Sequence, residues 1–387
     1  MLRGVRVAIV AESFLPEVNG VTNSVLRVLE HLEQHGHDAL VVAAGEGPRS
    51  CGHAPVERVG AVSLPMYRSF SVGLPTPKVE ATLARFRPDV VHLAAPVVLG
   101  AAGAVAARRL GIPAVAVYQT DLAGFAGRYR LGAASGPIWS WLRWVHRQAA
   151  LTLAPSTLAA WQLRHHGIGP VARWGRGVDH DRFHPRHRNE MLRRRLAPNG
   201  EVLVGYVGRL AAEKQVQHLA HLHDLKGSRL VVVGDGPERA RLQRRLPNAA
   251  FLGFQSGIGL SQAVASLDVF VHTGGHETFC QAVQEGLAAG VPVVAPASGG
   301  PLDLVQHGQN GYLWPTSSPE LLRGAVEALV EDADLRARMG TTAHESVTGR
   351  SWSTLGDELL AHHRAVAGLA DPRHLPHLPA RRHRRVA

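Results

Sequence analysis

Residues 269–294, VFVHTGGHETFCQAVQEGLAAGVPVV, decide the fold. The apolar run 267–272 has the composition of a buried strand, Gly274 and Gly275 make a turn, and the Ala/Leu-rich stretch 279–289 has helical spacing. Gly290 and Pro292 stop that helix, and 291–295 begins another strand. Strand, glycine turn and helix in this order form the unit of a parallel α/β sheet. The helix start offers free backbone N–H groups and a partial positive charge, which suit an electron-rich ligand such as a sugar or a phosphate. Two carboxylates flank it, Glu277 in the turn and Glu285 about two helical turns later. One can reach a sugar ring while the other reaches a hydroxyl pair further along the same ligand, and that is the span of a nucleotide sugar.

The same rhythm runs along the chain twice. Strands are predicted at 5–10, 39–43, 89–93, 114–118 and 151–154, then at 202–207, 230–233, 250–252, 269–272 and 291–295, with helical segments between them. The first strand leads into a loop over 12–23 and a helix over 24–35. A length of 387 residues with 45% hydrophobic content suits two cores better than one. The seam falls in WGRGVDHDRFHP, residues 174–185, which is turn-rich and has neither period.

Composition excludes several classes. Two cysteines, Cys51 and Cys280, far apart and without CxxC spacing, support neither a disulfide framework nor a zinc site, and the expected location is cytoplasmic. The start, MLRGVRVAIVAES, passes directly into a strand, so no signal peptide is read. The run 90–107 carries His92, Pro96 and two glycines and reads as strand, turn and helix, not as a membrane span. The net charge of +11 is concentrated in part in residues 371–387, which hold five arginines and one aspartate in a Pro/His/Arg-rich tail expected to be disordered. Attraction to anionic lipid headgroups and an idle solvated tail both fit that segment. No nucleic-acid-binding motif or aromatic stacking platform accompanies the charge. Among 23 histidines there is no HExxH spacing, and of His272, His276 and His307 near the site only His276 merits a test. Three tryptophans share IWSWLRWVHRQ, residues 138–148; Trp141, Trp144 and Val145 are expected on one helical face and Trp139 elsewhere, as a core helix or as an aromatic and basic lipid-facing surface.

With Glu277 and Glu285 at E-x7-E spacing, ETFCQAVQEGLAAGVPVVAPASGGPLDLV (277–305) resembles the donor-site signature of retaining GT-B glycosyltransferases of family 4. Four further features stand in the order this family requires. GYVGRLAAEKQVQHL places Arg209 and Lys214 at G-R-x4-K after a strand, two cations suited to the charge that develops on a diphosphate leaving group. Each such contact is worth roughly 1.5–3 kcal/mol. FLPEVNGVTNS carries Gly20 where the family commonly has P-x-x-G-G, so close backbone approach to a phosphate is expected at Gly20 and not at Asn19. VVVGDGPERARL (231–242) is a good turn and helix start but not GxGxxG, because Arg239 occupies the third position, and NAD binding loses support. GVD-x3-F-x-P, residues 177–185, resembles the segment between the two domains. In AVYQTDLAGFAGRYRLG (116–132) many relatives have histidine where this chain has Gln119; a glutamine can hydrogen-bond a hydroxyl but cannot act as a base, and Asp121 is the nearby carboxylate.

The resemblance implies an α/β GT-B fold, two Rossmann-like domains whose parallel sheets face an interdomain cleft. The domains would be 1–175 on the acceptor side and 176–352 for the nucleotide sugar, with a helix over 353–370 crossing back and the tail at 371–387. Glu277 would hold donor-sugar hydroxyls, with the Phe279 and Cys280 N–H groups at neighbouring oxygens, while Glu285 would take the ribose diol. Cys280 replaces a more usual glycine. Arg209 and Lys214 would stand in for a metal ion, so no metal or other cofactor is expected, and Gln119 and Asp121 would meet the sugar or the acceptor. ETFCQAVQE with YQTDLAGFA most resembles actinobacterial GDP-mannose-dependent α-mannosyltransferases acting on glycolipids, with peripheral contact at the inner face of the plasma membrane. A UDP-sugar 2-epimerase of GT-B fold and a non-catalytic nucleotide-sugar or lipid-binding protein are the alternatives.

Overall fold

The computed structural model describes residues 3–64, 67–121 and 135–369. The chain divides into two compact units, one formed by the residues up to Arg176 together with the segment from Trp352 onward, the other by Gly177–Ser351. The segment 122–132 and the tail 371–387, both singled out in the sequence, lie outside the described residues.

The first unit is built on β1 (Arg6–Ala11), β2 (Asp38–Ala44), β3 (Ser50–Cys51), β4 (Ala54–Val59), β7 (Val90–Leu93), β8 (Ala114–Val117), β9 (Leu151–Ala154) and β10 (Val171–Arg173), in the order β10-β9-β8-β7-β1-β2-β4-β3. The pairs are parallel except β3 with β4. β5 (Ala61–Leu64) and β6 (Tyr67–Gly73) form a separate antiparallel pair. Helices cover both faces, so β1 is apolar from Val7 to Ala11. Val7, Ile9 and Ala11 enter one core with Val25, Leu29, Leu355 and Leu359, whereas Ala8 and Val10 enter another with Leu99 and Ala104. The last helix, Trp352–Val366, belongs here through leucines whose burial contributes about 1.5–3 kcal/mol each. The Trp174 indole N–H donates to the Leu355 carbonyl at 2.8 Å, and His92 meets His363 at 3.2 Å.

The second unit is a six-stranded parallel sheet, β13-β12-β11-β14-β15-β16, formed by β11 (Val202–Val207), β12 (Ser228–Val233), β13 (Ala250–Gly253), β14 (Val269–Val271), β15 (Val293–Pro296) and β16 (Gly311–Trp314). Val204 and Tyr206 face one core, Leu203 and Val207 the other.

Three expectations need correction. The helix predicted over 24–35 is Gly20–Gln34, because the Asn19 side chain caps it by accepting from the N–H groups of Val21 and Thr22. Strands β3 to β6, β10 and β16 were not foreseen; β3, β10 and β16 end their sheets, and β5 and β6 pair only with each other. In the helix Ser135–His146 the buried face is Trp139, Leu142, Val145 and His146, while Trp141 and Trp144 are exposed and stacked with centroids 5.0 Å apart. Trp139 therefore enters the core, and Val145 is not on the Trp141/Trp144 face.

Candidate functional site

In the second sheet the chain builds outward from β11 through β12 to β13, then returns to the other side of β11 with β14. A crevice opens at such a reversal, beyond the carboxyl ends of the two strands. Residues 208–214 leave β11 and residues 272–280 leave β14, so topology alone brings Arg209, Lys214 and Glu277 to one end of the sheet.

Lys214 closes this arrangement. Its Nζ donates to Glu277 Oε1 at 2.5 Å, its carbonyl accepts from Thr273 Oγ1 at 2.8 Å, and the neighbouring Gln215 side chain accepts from the Gly275 N–H at 2.8 Å. His272, at the end of β14, is 3.5 Å from the same Glu277 oxygen. Burial would raise the Glu277 carboxyl, but the Lys214 ammonium and the His272 imidazole override it and hold the group well below the usual carboxylate range. Burial likewise opposes the Lys214 charge, and Glu277 reverses that, so its pKa is raised. The result is a permanently ionised carboxylate, partly accessible, fixed before any ligand arrives. Arg209 lies nearer solvent, half exposed and 3.8 Å from Glu213.

Two glycine positions support these loops. A Cβ on Gly300 would lie 1.7 Å from the Phe279 carbonyl oxygen, while the Gly300 N–H donates to the Glu277 carbonyl at 2.8 Å. The SGG turn after β15 thus presses directly on the Glu277 loop. Gly236 sits at φ +154 with its Cβ position 2.3 Å from the Leu210 carbonyl, so the Gly-Asp-Gly turn supports the loop that carries Arg209. The Gly-Asp-Gly turn is legible in the sequence without this reason for it, and the carbonyl contact is not written in residue type.

Phe279 and Cys280 are buried ahead of the helix Gln281–Ala288, and Cys280, the N-cap, holds the left-handed conformation at φ +78. That conformation costs a non-glycine residue roughly 1–2 kcal/mol. Glu285 lies on this helix, facing the 177–185 segment. Burial raises its carboxyl to about 7; Arg182 and a hydrogen bond with Gln281 pull it down, and Asp179 pushes it up. Arg182, not singled out in the sequence, is thus the charge that Glu285 senses. His276 is exposed on the same turn as Glu277.

In the first unit Gly20 is the first residue of its helix, not part of a loop. Its Cβ position lies 3.0 Å from Arg176 Nη1, so the close approach expected there is made by a guanidinium. Arg176 also donates to Gln119 Oε1 at 2.6 Å, and Gln119 Nε2 donates to the Ala94 carbonyl at 3.0 Å. Gln119 is therefore a buried bridge that fixes Arg176, a residue the sequence reading passed over. Asp121 accepts from the Tyr118 hydroxyl at 3.2 Å.

Residues 18–182 match the family model described as Glycosyltransferase Family 4, and residues 187–346 match Glycosyl transferases group 1. The chain is 51% identical over 372 residues to a GDP-mannose-dependent alpha-mannosyltransferase of Mycobacterium tuberculosis (strain CDC 1551 / Oshkosh), covering 94% of this chain and 98% of that one. It is 48% identical over 377 residues to the protein of the same description from Corynebacterium glutamicum, covering 96% and 91%. Among solved structures it resembles sucrose-phosphate synthase from Thermosynechococcus elongatus, with a TM-score of 0.78 at 17% identity over 95% of this chain and 100% of that one. The Anabaena protein HepE in complex with UDP-glucose superposes with a TM-score of 0.74 at 20% identity over 92% and 99%. At these identities the structural likeness is one of fold, and the fold is GT-B.

Proposed function

We propose that this chain, which belongs to the glycosyltransferases that join a family 4 domain to a group 1 domain, transfers mannose from GDP-mannose to a hydroxyl of a glycolipid or related glycoconjugate, with retention at the anomeric carbon. The observation that carries the reading is the Glu277 carboxylate, held ionised by Lys214 at the reversal point of the second sheet. Two relatives, each matching nearly the whole chain at about half identity, are described as using GDP-mannose, which supports that donor over other nucleotide sugars.

Glu277 accepts hydrogen bonds from the sugar hydroxyls and orients the ring. Arg209 and Lys214 serve the diphosphate, where negative charge grows as the glycosidic C–O bond breaks and its electron pair moves to the leaving oxygen. The acceptor oxygen then bonds to the anomeric carbon on the face the diphosphate leaves, and its proton passes to the departing diphosphate. Glu285 takes the ribose diol, and the N–H groups of Phe279 and Cys280 take neighbouring oxygens. Asp121 serves as a hydroxyl contact, while Gln119 acts by positioning the Arg176 guanidinium that lies against Gly20. The two cations do the work a divalent ion does at other diphosphate sites, so the reaction runs without metal. Among the described residues no helix is long and apolar enough to cross a membrane, and contact with lipid is assigned to the basic tail.

The test is product analysis. Purified protein incubated with GDP-mannose and a membrane lipid extract, with and without excess EDTA, should release GDP and give an α-mannosyl lipid in both conditions. A β-linked product would refute retention, and activity lost in EDTA but restored by Mn²⁺ would refute the metal-free route. Sugar transferred from UDP-glucose in preference would move the donor assignment. Deleting residues 371–387 should weaken liposome sedimentation at low salt, and unchanged sedimentation would remove the tail from the reading.

A further inference from the structure

Beside the donor carboxylate stands a set of side chains that sugar transfer does not use. His272 is 3% exposed, and its ring makes no close hydrogen bond: the polar groups it faces are the Glu277 carboxylate, 3.5 Å from Nε2, and the Cys280 sulfur. A buried imidazole held only by long contacts to a carboxylate and a thiol gains from a partner that takes its lone pair. Cys280 is 5% exposed and keeps its φ of +78 at the start of the next helix, where a glycine would be strain-free. The Cys280 Sγ, a His272 ring nitrogen and a Glu277 carboxylate oxygen all lie within 4.8 Å of one another.

Sulfur, imidazole and carboxylate together form a three-ligand set, the donor pattern of zinc and not of magnesium or calcium. Ligand atoms around a tetrahedral zinc stand roughly 3.3–3.8 Å apart, given bond lengths of about 2.0–2.3 Å, so a modest contraction closes the set. We propose that His272, Glu277 and Cys280 form an inhibitory site for a soft divalent cation, Zn²⁺ by its ligands, occupied in exchange for the Lys214–Glu277 ion pair. Binding forms one bond each from sulfur, nitrogen and oxygen to the metal. It releases the thiol proton, and any proton on His272, to solvent, and no electrons are transferred. A Glu277 oxygen that ligates metal no longer accepts from sugar hydroxyls, so metal and donor exclude one another; this consequence rests on the donor-binding reading of Glu277.

Co²⁺ provides the direct probe, because a thiolate ligand gives it a charge-transfer absorbance in the near ultraviolet. The full chain carrying Cys51→Ser leaves Cys280 as its one thiol. It should develop that absorbance on titration with Co²⁺ and lose it when Zn²⁺ is added. Cys280→Gly, which suits the left-handed backbone, should abolish the band, and His272→Gln should weaken Co²⁺ affinity at least tenfold, a second reading if the glycine variant fails to fold. Zn²⁺ at a concentration that displaces Co²⁺ should weaken GDP-mannose binding at least tenfold, with recovery in EDTA and no such effect in Cys280→Gly. No thiolate band, a band that survives Cys280→Gly, or donor affinity unaffected by saturating metal would overturn the proposal. Absence of GDP-mannose binding in metal-free protein would instead count against the donor assignment, which the cobalt spectrum does not depend on.

Discussion

Donor binding should carry the titration of a single half-buried carboxyl. Glu285 ionises at about 7 because burial outweighs the help of Arg182 and Gln281. A ribose diol donates two hydrogen bonds and therefore prefers the ionised form. About nine-tenths of the carboxyls are charged at pH 8 and about one-tenth at pH 6, so the Kd for GDP-mannose should rise roughly tenfold over that interval, or ~1.4 kcal/mol. Calorimetry without acceptor measures this, and the diphosphate of GDP-mannose, esterified at both ends, does not titrate in the range. Near pH 7 binding should also release about half a proton, visible as a dependence of the heat on the buffer. Glu285→Gln should bind more weakly at pH 8 and remove both the pH slope and the proton release. A Kd that stays level between pH 6 and 8, or a slope that persists in Glu285→Gln, would refute the assignment of this carboxyl to the ribose. The same shift opposes folding. The folded state holds the proton between 4.5 and about 7 where the unfolded chain has lost it, so stability falls as pH rises through that window. Glu285→Gln should therefore raise the Tm at pH 8.

With Lys214 at the diphosphate as proposed, Lys214→Ala removes that cation and the partner of Glu277, and kcat should fall by roughly 100- to 1000-fold; Arg209→Ala, at an exposed position, should cost about tenfold. Turnover within twofold of wild type in either would take that residue away from the diphosphate. Glu277→Gln should slow turnover while leaving the affinity for GDP within a few-fold, and lost nucleotide affinity would reverse its placement relative to Glu285. Gly300→Ala forces a methyl into the Phe279 carbonyl, and overpacking of about 1–3 kcal/mol should lower the Tm of the second unit by several degrees. An unchanged Tm would show that the turn yields. In the first unit burial pushes His92 and His146 down to about 4. The unfolded state binds protons there that the folded state refuses, so stability is full above about 6.5 and falls toward pH 4 by up to ~3 kcal/mol per histidine. Urea midpoints at pH 7 and 5 measure this, and equal midpoints would show that the imidazoles charge without cost.

Reading the sequence worked where one signal had one cause. The strand, turn and helix of residues 269–294 could be read because apolar period, glycine and helix breaker change together, and Arg209, Lys214 and Glu277 could be read because each follows a strand end. The Trp141/Trp144 face failed for a physical reason. With Trp139, Leu142 and Val145 on one arc and two tryptophans on another, both arcs are apolar, and periodicity cannot say which one meets the sheet. Gln119 was legible as a departure from histidine but not as the bridge to Arg176, since that contact joins residues 57 positions apart. The grouping of His272 with Glu277 and Cys280 was invisible for the same reason: which side chains face one another is a fact about space, not about spacing.

The helix Trp352–Val366 inverts the order in which the two units can mature on the ribosome. Its leucines fill a core with Val25, Val28 and Leu29, and its Leu355 carbonyl satisfies the Trp174 indole, yet it is made after all of Gly177–Ser351. At ~5–20 residues per second the first unit waits roughly 10–40 s for its last piece, with one apolar face uncovered. The second unit has every strand in hand before that helix emerges, so the half synthesised later is the half that finishes first. A ribosome that stalls at Ser351 leaves a complete second unit joined to a first unit that still lacks its seal.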